Sequence, residues 1–147
     1  MKSTIKALAA AIGISLLAGC ASVPMGSPEK DSAHKKFEAP AEGKAGLYLY
    51  RNTFVGQSLK KTVSVDGKVL GETANKTYFY KLLEPGKHTL TTESEFGDNS
   101  IDINAVSGKN HFVEQSIRIG VFVGGASLKE VSEEEARPEI QESKLAQ

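Results

Sequence analysis

The chain has 147 residues, 18 basic against 18 acidic side chains, one cysteine and no tryptophan. That length supports one domain with at most a small appendage. The zero net charge speaks against a nucleic-acid binder, which carries a basic excess or stripe. A lone cysteine excludes an intramolecular disulfide framework and a cysteine-based zinc ribbon.

The first element in chain order is a targeting segment. Lys2 and Lys6 give a basic start, and an apolar run follows from Ala7 to Leu17. Small residues, Ala18 and Gly19, then precede Cys20. A basic start, a short apolar run and a small-residue cleavage site describe a secretory signal over residues 1–19. The run is shorter than the roughly 20 residues that a membrane-spanning helix needs. Leu17-Ala18-Gly19-Cys20 resembles the bacterial lipobox. The resemblance implies cleavage before Cys20, a diacylglyceryl group on its sulfur and an acyl chain on its new amine. One acyl chain holds weakly, but several on one residue make a lasting anchor, because each buried methylene contributes about 0.8 kcal/mol. No other cofactor is expected. Ala21 stands where an aspartate in enterobacterial lipoproteins favours inner-membrane retention. The resemblance therefore implies the periplasmic face of the outer membrane.

Residues 20–44 hold Pro24, Pro28 and Pro40 among small polar and charged residues, without helix or strand periodicity. They read as a flexible tether with a reach of roughly 25–30 Å. His34-Lys35-Lys36 would add little to an acyl anchor, at about 1 kcal/mol per basic residue on anionic lipid.

From residue 45 to residue 131 the pattern is β. Leu47 to Tyr50 begins it, and Thr62 to Val65 and Lys68 to Gly71 flank Asp66-Gly67, a pair suited to a hairpin with positive φ at both turn positions. Lys76 to Leu83, His88 to Thr92, Ser100 to Val106, His111 to Val123 and Ala126 to Val131 follow, with Pro85-Gly86 and Ser107-Gly108 as turns. Seven or eight short strands at this spacing predict an all-β fold, a small antiparallel β-sandwich. The expected core is Leu47, Leu49, Val63, Val65, Val69, Phe79, Leu83, Leu90, Ile101, Ile103, Val113, Ile117, Ile119 and Val121. Residues 132–147 form an acidic tail or a short helix. Ser132 and Glu135 have capping-box spacing, and Pro138 is expected to interrupt any longer helix.

Val65-Asp66-Gly67-Lys68, Gly71-Glu72-Thr73 and Pro85-Gly86-Lys87-His88 resemble the turn pattern of PEGA-type modules, small β-sandwich domains of bacterial envelope proteins. Lipobox, tether, β-module and charged end together are similar to a family of short proteobacterial lipoproteins classed as a domain of unknown function. The resemblance spans residues 44–131 and implies a fold rather than an activity.

No catalytic constellation stands out. His34, His88 and His111 lack metal-ligand spacing, and no Gly-x-Ser-x-Gly elbow occurs. If Leu47, Leu49 and Phe79 face the core, then Tyr48, Tyr50, Tyr78 and Tyr80 face away. On neighbouring strands those four rings would form an outer aromatic face able to stack on sugars or dock a partner. Ordinary cross-strand pairing on a solvated sheet would use the same residues. The sequence thus points to a non-enzymatic, lipid-anchored envelope module that contacts another envelope component, through that face or an edge strand. A peptidoglycan- or glycan-binding module is the alternative, and a hydrolase a more remote one.

Overall fold

A computed structural model describes residues 22–147. The predicted signal, the lipobox residues Leu17, Ala18 and Gly19, and Cys20 itself lie outside the described residues. In chain order the elements are α1 (Pro28–His34), β1 (Ala45–Arg51), β2 (Lys61–Val65), β3 (Lys68–Thr73), β4 (Thr77–Leu83), β5 (Gly86–Thr92), β6 (Asn99–Ala105), β7 (Asn110–Arg118), β8 (Gly125–Val131), α2 (Glu133–Gln141) and β9 (Lys144–Leu145).

The strands form a β-sandwich. One sheet has the order β8-β7-β1-β4-β9 and the other β3-β2-β5-β6. Leu47, Leu49, Phe79 and Val113 from the first sheet meet Val63, Val65, Leu90 and Ile103 from the second in one buried cluster. Most pairings are antiparallel, but β1 runs parallel to β7, and β4 parallel to β9. The hairpin between β2 and β3 turns at Asp66 (φ 50°) and Gly67 (φ 75°), the positive pair expected there.

Every residue of β1 is buried. A strand in that state must be covered on both faces. Its second face packs beneath the two helices in a separate cluster of Phe37, Tyr48, Tyr50, Tyr78, Phe112, Ala136, Ile140 and Leu145.

The structure departs from the sequence-based expectations at four places. Residues 22–44 are not a free tether. Ser27 caps α1 with Pro28 in its first turn, Met25 bridges to Ala146, and Val23 and Phe37 are buried. After residue 132 the short helix, one of the two endings expected, does form, and the departure is that Pro138 does not interrupt it. Its Ser132–Glu135 capping box is present, and Pro138 lies inside it, because Ala136 and Ile140 pin both turns to the sheet. Val69 points to solvent. Val63 pairs with Gly71 and Ser64 with Val69, so Leu70 is the extra residue of a β-bulge, and Leu70 packs against the core instead. Finally, β7 stops at Arg118, where it meets Gly125 of β8, and Ile119 and Val121 lie outside the core.

Candidate functional site

Alternation along β1 and β4 places Tyr48, Tyr50, Tyr78 and Tyr80 on one face, as expected for strands paired Tyr48 to Tyr80 and Tyr50 to Tyr78. That face is not open. Tyr48, Tyr50 and Tyr78 are buried, and Tyr80 is half-buried. The Tyr48 ring stacks on Phe112 at 5.2 Å between centroids and lies 5.3 Å from Phe37. Its hydroxyl donates to the His34 carbonyl at 2.8 Å. His34 itself lies over Tyr80 at 4.1 Å. The Tyr78 hydroxyl donates to the Asp31 carboxylate at 2.9 Å, and so does the Leu145 amide, also at 2.9 Å. Burial pushes the Asp31 carboxyl up, yet Lys35, Tyr78 and the Leu145 N–H together hold it below the ordinary carboxylate range. Desolvation raises the tyrosines. The proposed binding face is therefore an internal seam. An exposed slab of four rings would be an adhesive patch, and the segment read as a tether folds over it.

The histidines of the sandwich are engaged separately. His88 Nδ1 faces the Asp66 carboxylate at 2.6 Å and Nε2 the Glu84 carbonyl at 2.7 Å. Two acceptors demand a proton on each ring nitrogen, which raises the His88 pKa, the Asp66 hydrogen bond contributing most. The same bond lowers Asp66. At His111 the Val106 amide donates to Nε2 at 3.0 Å, which leaves the ring proton on Nδ1, toward Glu130. Among the described residues no group of three His, Cys, Asp or Glu side chains could hold a metal ion.

The raised His88 contributes stability that is present below its ordinary value of 6.5 and lost as pH rises through its folded value. The lowered Asp66 contributes stability that is present above 3.8 and lost as pH falls through its folded value. Urea unfolding should therefore show a loss of up to about 1 kcal/mol as pH rises from 6.5 through the folded value of His88. His88→Gln should flatten that slope. An unchanged slope in the variant would assign the loss to other groups.

The feature that the sequence reading missed lies at one end of the sandwich. Three loops meet there, 52–60 after β1, 93–98 after β5 and 119–124 after β7. Of the eleven large apolar side chains exposed among the described residues, seven belong to these loops: Phe54, Val55, Phe96, Ile119, Val121, Phe122 and Val123. Phe54, Phe96, Ile119 and Phe122 are each more than 80% exposed (86, 82, 89 and 83%). A cleft of about 480 Å³ runs between the second and third loops, past Glu95, Phe96, Arg118 and Ile119.

These loops are tied together from beneath by charged side chains. Arg51 donates to the carbonyls of Gly56 (2.5 Å) and Leu59 (2.7 Å). Lys61 donates to those of Val123 (3.0 Å) and Gly124 (2.9 Å). The Glu95 carboxylate accepts from the amides of Val121 (2.8 Å) and Phe122 (2.5 Å). The visible signal was the glycines at 120, 124 and 125, which mark a loop rather than a strand, with an apolar run between them.

A β-sandwich with one face sealed by its own ends and an apolar pole built on buried charges defines a structural class more than a chemistry. The chain belongs to the family described as "Protein of unknown function (DUF2846)", whose model matches residues 41–126. It is also 45% identical over 141 residues to a Haemophilus influenzae (strain ATCC 51907 / DSM 11121 / KW20 / Rd) protein described as "Uncharacterized protein", a match covering 95% of this chain and 84% of that one.

Proposed function

We propose that this protein is a lipid-anchored lipoprotein of the bacterial cell envelope, a non-enzymatic module that contacts another envelope component. The observation that carries this reading is Leu17-Ala18-Gly19-Cys20 at the end of an eleven-residue apolar run, Ala7 to Leu17. Cys20 would carry the diacylglyceryl group and the N-acyl chain. Ala21 after it favours the outer membrane, on the periplasmic face. The compact sandwich and the commitment of both its histidines to structural partners support binding over turnover. Glycan stacking on the four tyrosines loses its support, because helices cover that face.

Metabolic labelling with palmitate, followed by membrane fractionation, tests the anchor. Wild-type protein should carry label and sediment with membranes. Cys20→Ser should lose both, the released chain appearing in the soluble fraction. Label retained by Cys20→Ser, or absent from the wild type, would overturn the assignment.

A further inference from the structure

We propose that the apolar pole of loops 52–60, 93–98 and 119–124 is a docking surface for an apolar recess on another envelope protein. This rests on the lipid-anchor reading and adds to it the place and the chemistry of contact. Contiguous exposed apolar side chains of this number mark an interaction site, whereas single ones need no explanation. The other four, Met25, Val69, Leu82 and Val106, each belong to a different part of the chain.

The backbone of these loops is prepared for contact without water. Surface loops ordinarily leave their polar groups to solvent. Here the carbonyls of Gly56, Leu59, Val123 and Gly124 are satisfied from beneath by Arg51 and Lys61, and the amides of Val121 and Phe122 by Glu95 at the cleft wall. Side chains on loops fixed in this way lose little further freedom on binding, which lowers the entropic cost of association.

Where the chain begins identifies the occupant. Arg51 pairs with Thr77 at the apolar pole, and Ala45 with Leu83 at the opposite end. Leu145 pairs with Tyr78. Gly26 donates to Leu145, and Gln147 donates to Pro24. Residues 26 to 24 therefore run alongside β4 away from the apolar pole. From Val23, buried in the core, only three residues lead back to Cys20, a span of about 10 Å at full extension. An anchor on Cys20 holds the opposite end of the sandwich at the bilayer. The seven residues of β1, at a rise of about 3.3 Å, then separate the two ends by about 20 Å. The pole points away from the anchoring membrane, so two copies anchored in the same membrane present their poles in parallel and cannot dock them face to face. The occupant this orientation favours is a different protein standing above the membrane, with an apolar recess for the loop side chains and polar groups opposite Glu95 and Arg118.

The test places a photo-crosslinking amino acid at Phe96 or Phe122 in the full-length protein in intact cells, with Val69 and Leu82 as control sites. One discrete protein adduct is expected from both loop sites and neither control. Adding Ile119→Asp, a change at an exposed side chain, should lower its yield by about tenfold or more. Thermal unfolding of the purified Ile119→Asp protein should match wild type. No adduct, an adduct of twice the chain mass, adducts only with lipid, or a yield indifferent to Ile119→Asp would overturn the proposal. Palmitate label read on the same samples reports the anchor independently. Label without an adduct fails the docking surface alone, and an adduct without label fails the anchor alone.

Discussion

Tyr48→Ser is expected to destabilise the protein by about 3–5 kcal/mol, the range for removing a buried aromatic ring. The ring is 1% exposed and packs against Phe37, Tyr80 and Phe112. Serine would leave a cavity at the centre of that cluster and remove one of the two donors to the His34 carbonyl, which would keep only the Phe37 N–H at 3.0 Å. Tyr48→Phe separates the two contributions. It keeps the ring and should cost only about 1 kcal/mol, the net contribution of one hydrogen bond. Urea unfolding followed by circular dichroism measures both. A serine variant within about 1 kcal/mol of wild type would mean that the helices do not seal this face in solution.

Arg51→Ala is expected to cost roughly 3 kcal/mol and to loosen the apolar pole. The side chain is fully buried with no carboxylate partner, and burial brings its pKa down to about 10. Its charge is balanced by carbonyl dipoles alone, those of Gly56, Leu59 and Thr73. Alanine removes this donor from all three; the Gly56 carbonyl keeps the Leu59 N–H at 2.9 Å, while a buried carbonyl left unpaired costs about 1–3 kcal/mol. Some of that penalty returns as water reaches the opened loop. Arg51→Lys recovers little, since one ammonium cannot reproduce the planar fork that spans two strands' ends. Hydrogen exchange should show the amides of residues 52–60 exchanging much faster in Arg51→Ala, with those of β4 and β7 changed only by the global loss of stability. Unchanged exchange across 52–60 would remove Arg51 as the tie.

What could be read from the sequence was what local conformation decides. Asp66-Gly67 marked its hairpin because both residues must take positive φ, a property of the dipeptide itself. The alternation of Leu47 and Leu49 with Tyr48 and Tyr50 gave the two faces of β1 correctly, as a period of two must. Ser132 and Glu135 announced α2 in the same local way. Distant contacts decided the rest. Nothing near Pro28–His34 shows that Tyr78 and Leu145 will hold Asp31. The run from Ile117 to Val123 has strand character on either side of Gly120. It leaves the sheet at Arg118 because its partner, β8, begins opposite that residue. The bulge that turns Val69 outward is likewise set by its pairing with β2. Chain folding over the tyrosines decided whether they would be surface or interior, and a pattern of alternation carries no information about a third layer.

The Leu145 amide and the Asp31 carboxylate lie 114 residues apart in the chain. Contacts of such separation bear the largest loop-closure entropy and form late in folding. Because β9 supplies one side of this closure, the lid over Tyr78 cannot be completed until Lys144 and Leu145 are in place. A chain lacking the residues from Lys144 on would keep α2 over Tyr48 and Tyr50 but lose the tie that draws Asp31 of α1 onto Tyr78. Hiding the stickiest internal surface thus waits on a closure between segments far apart in the chain.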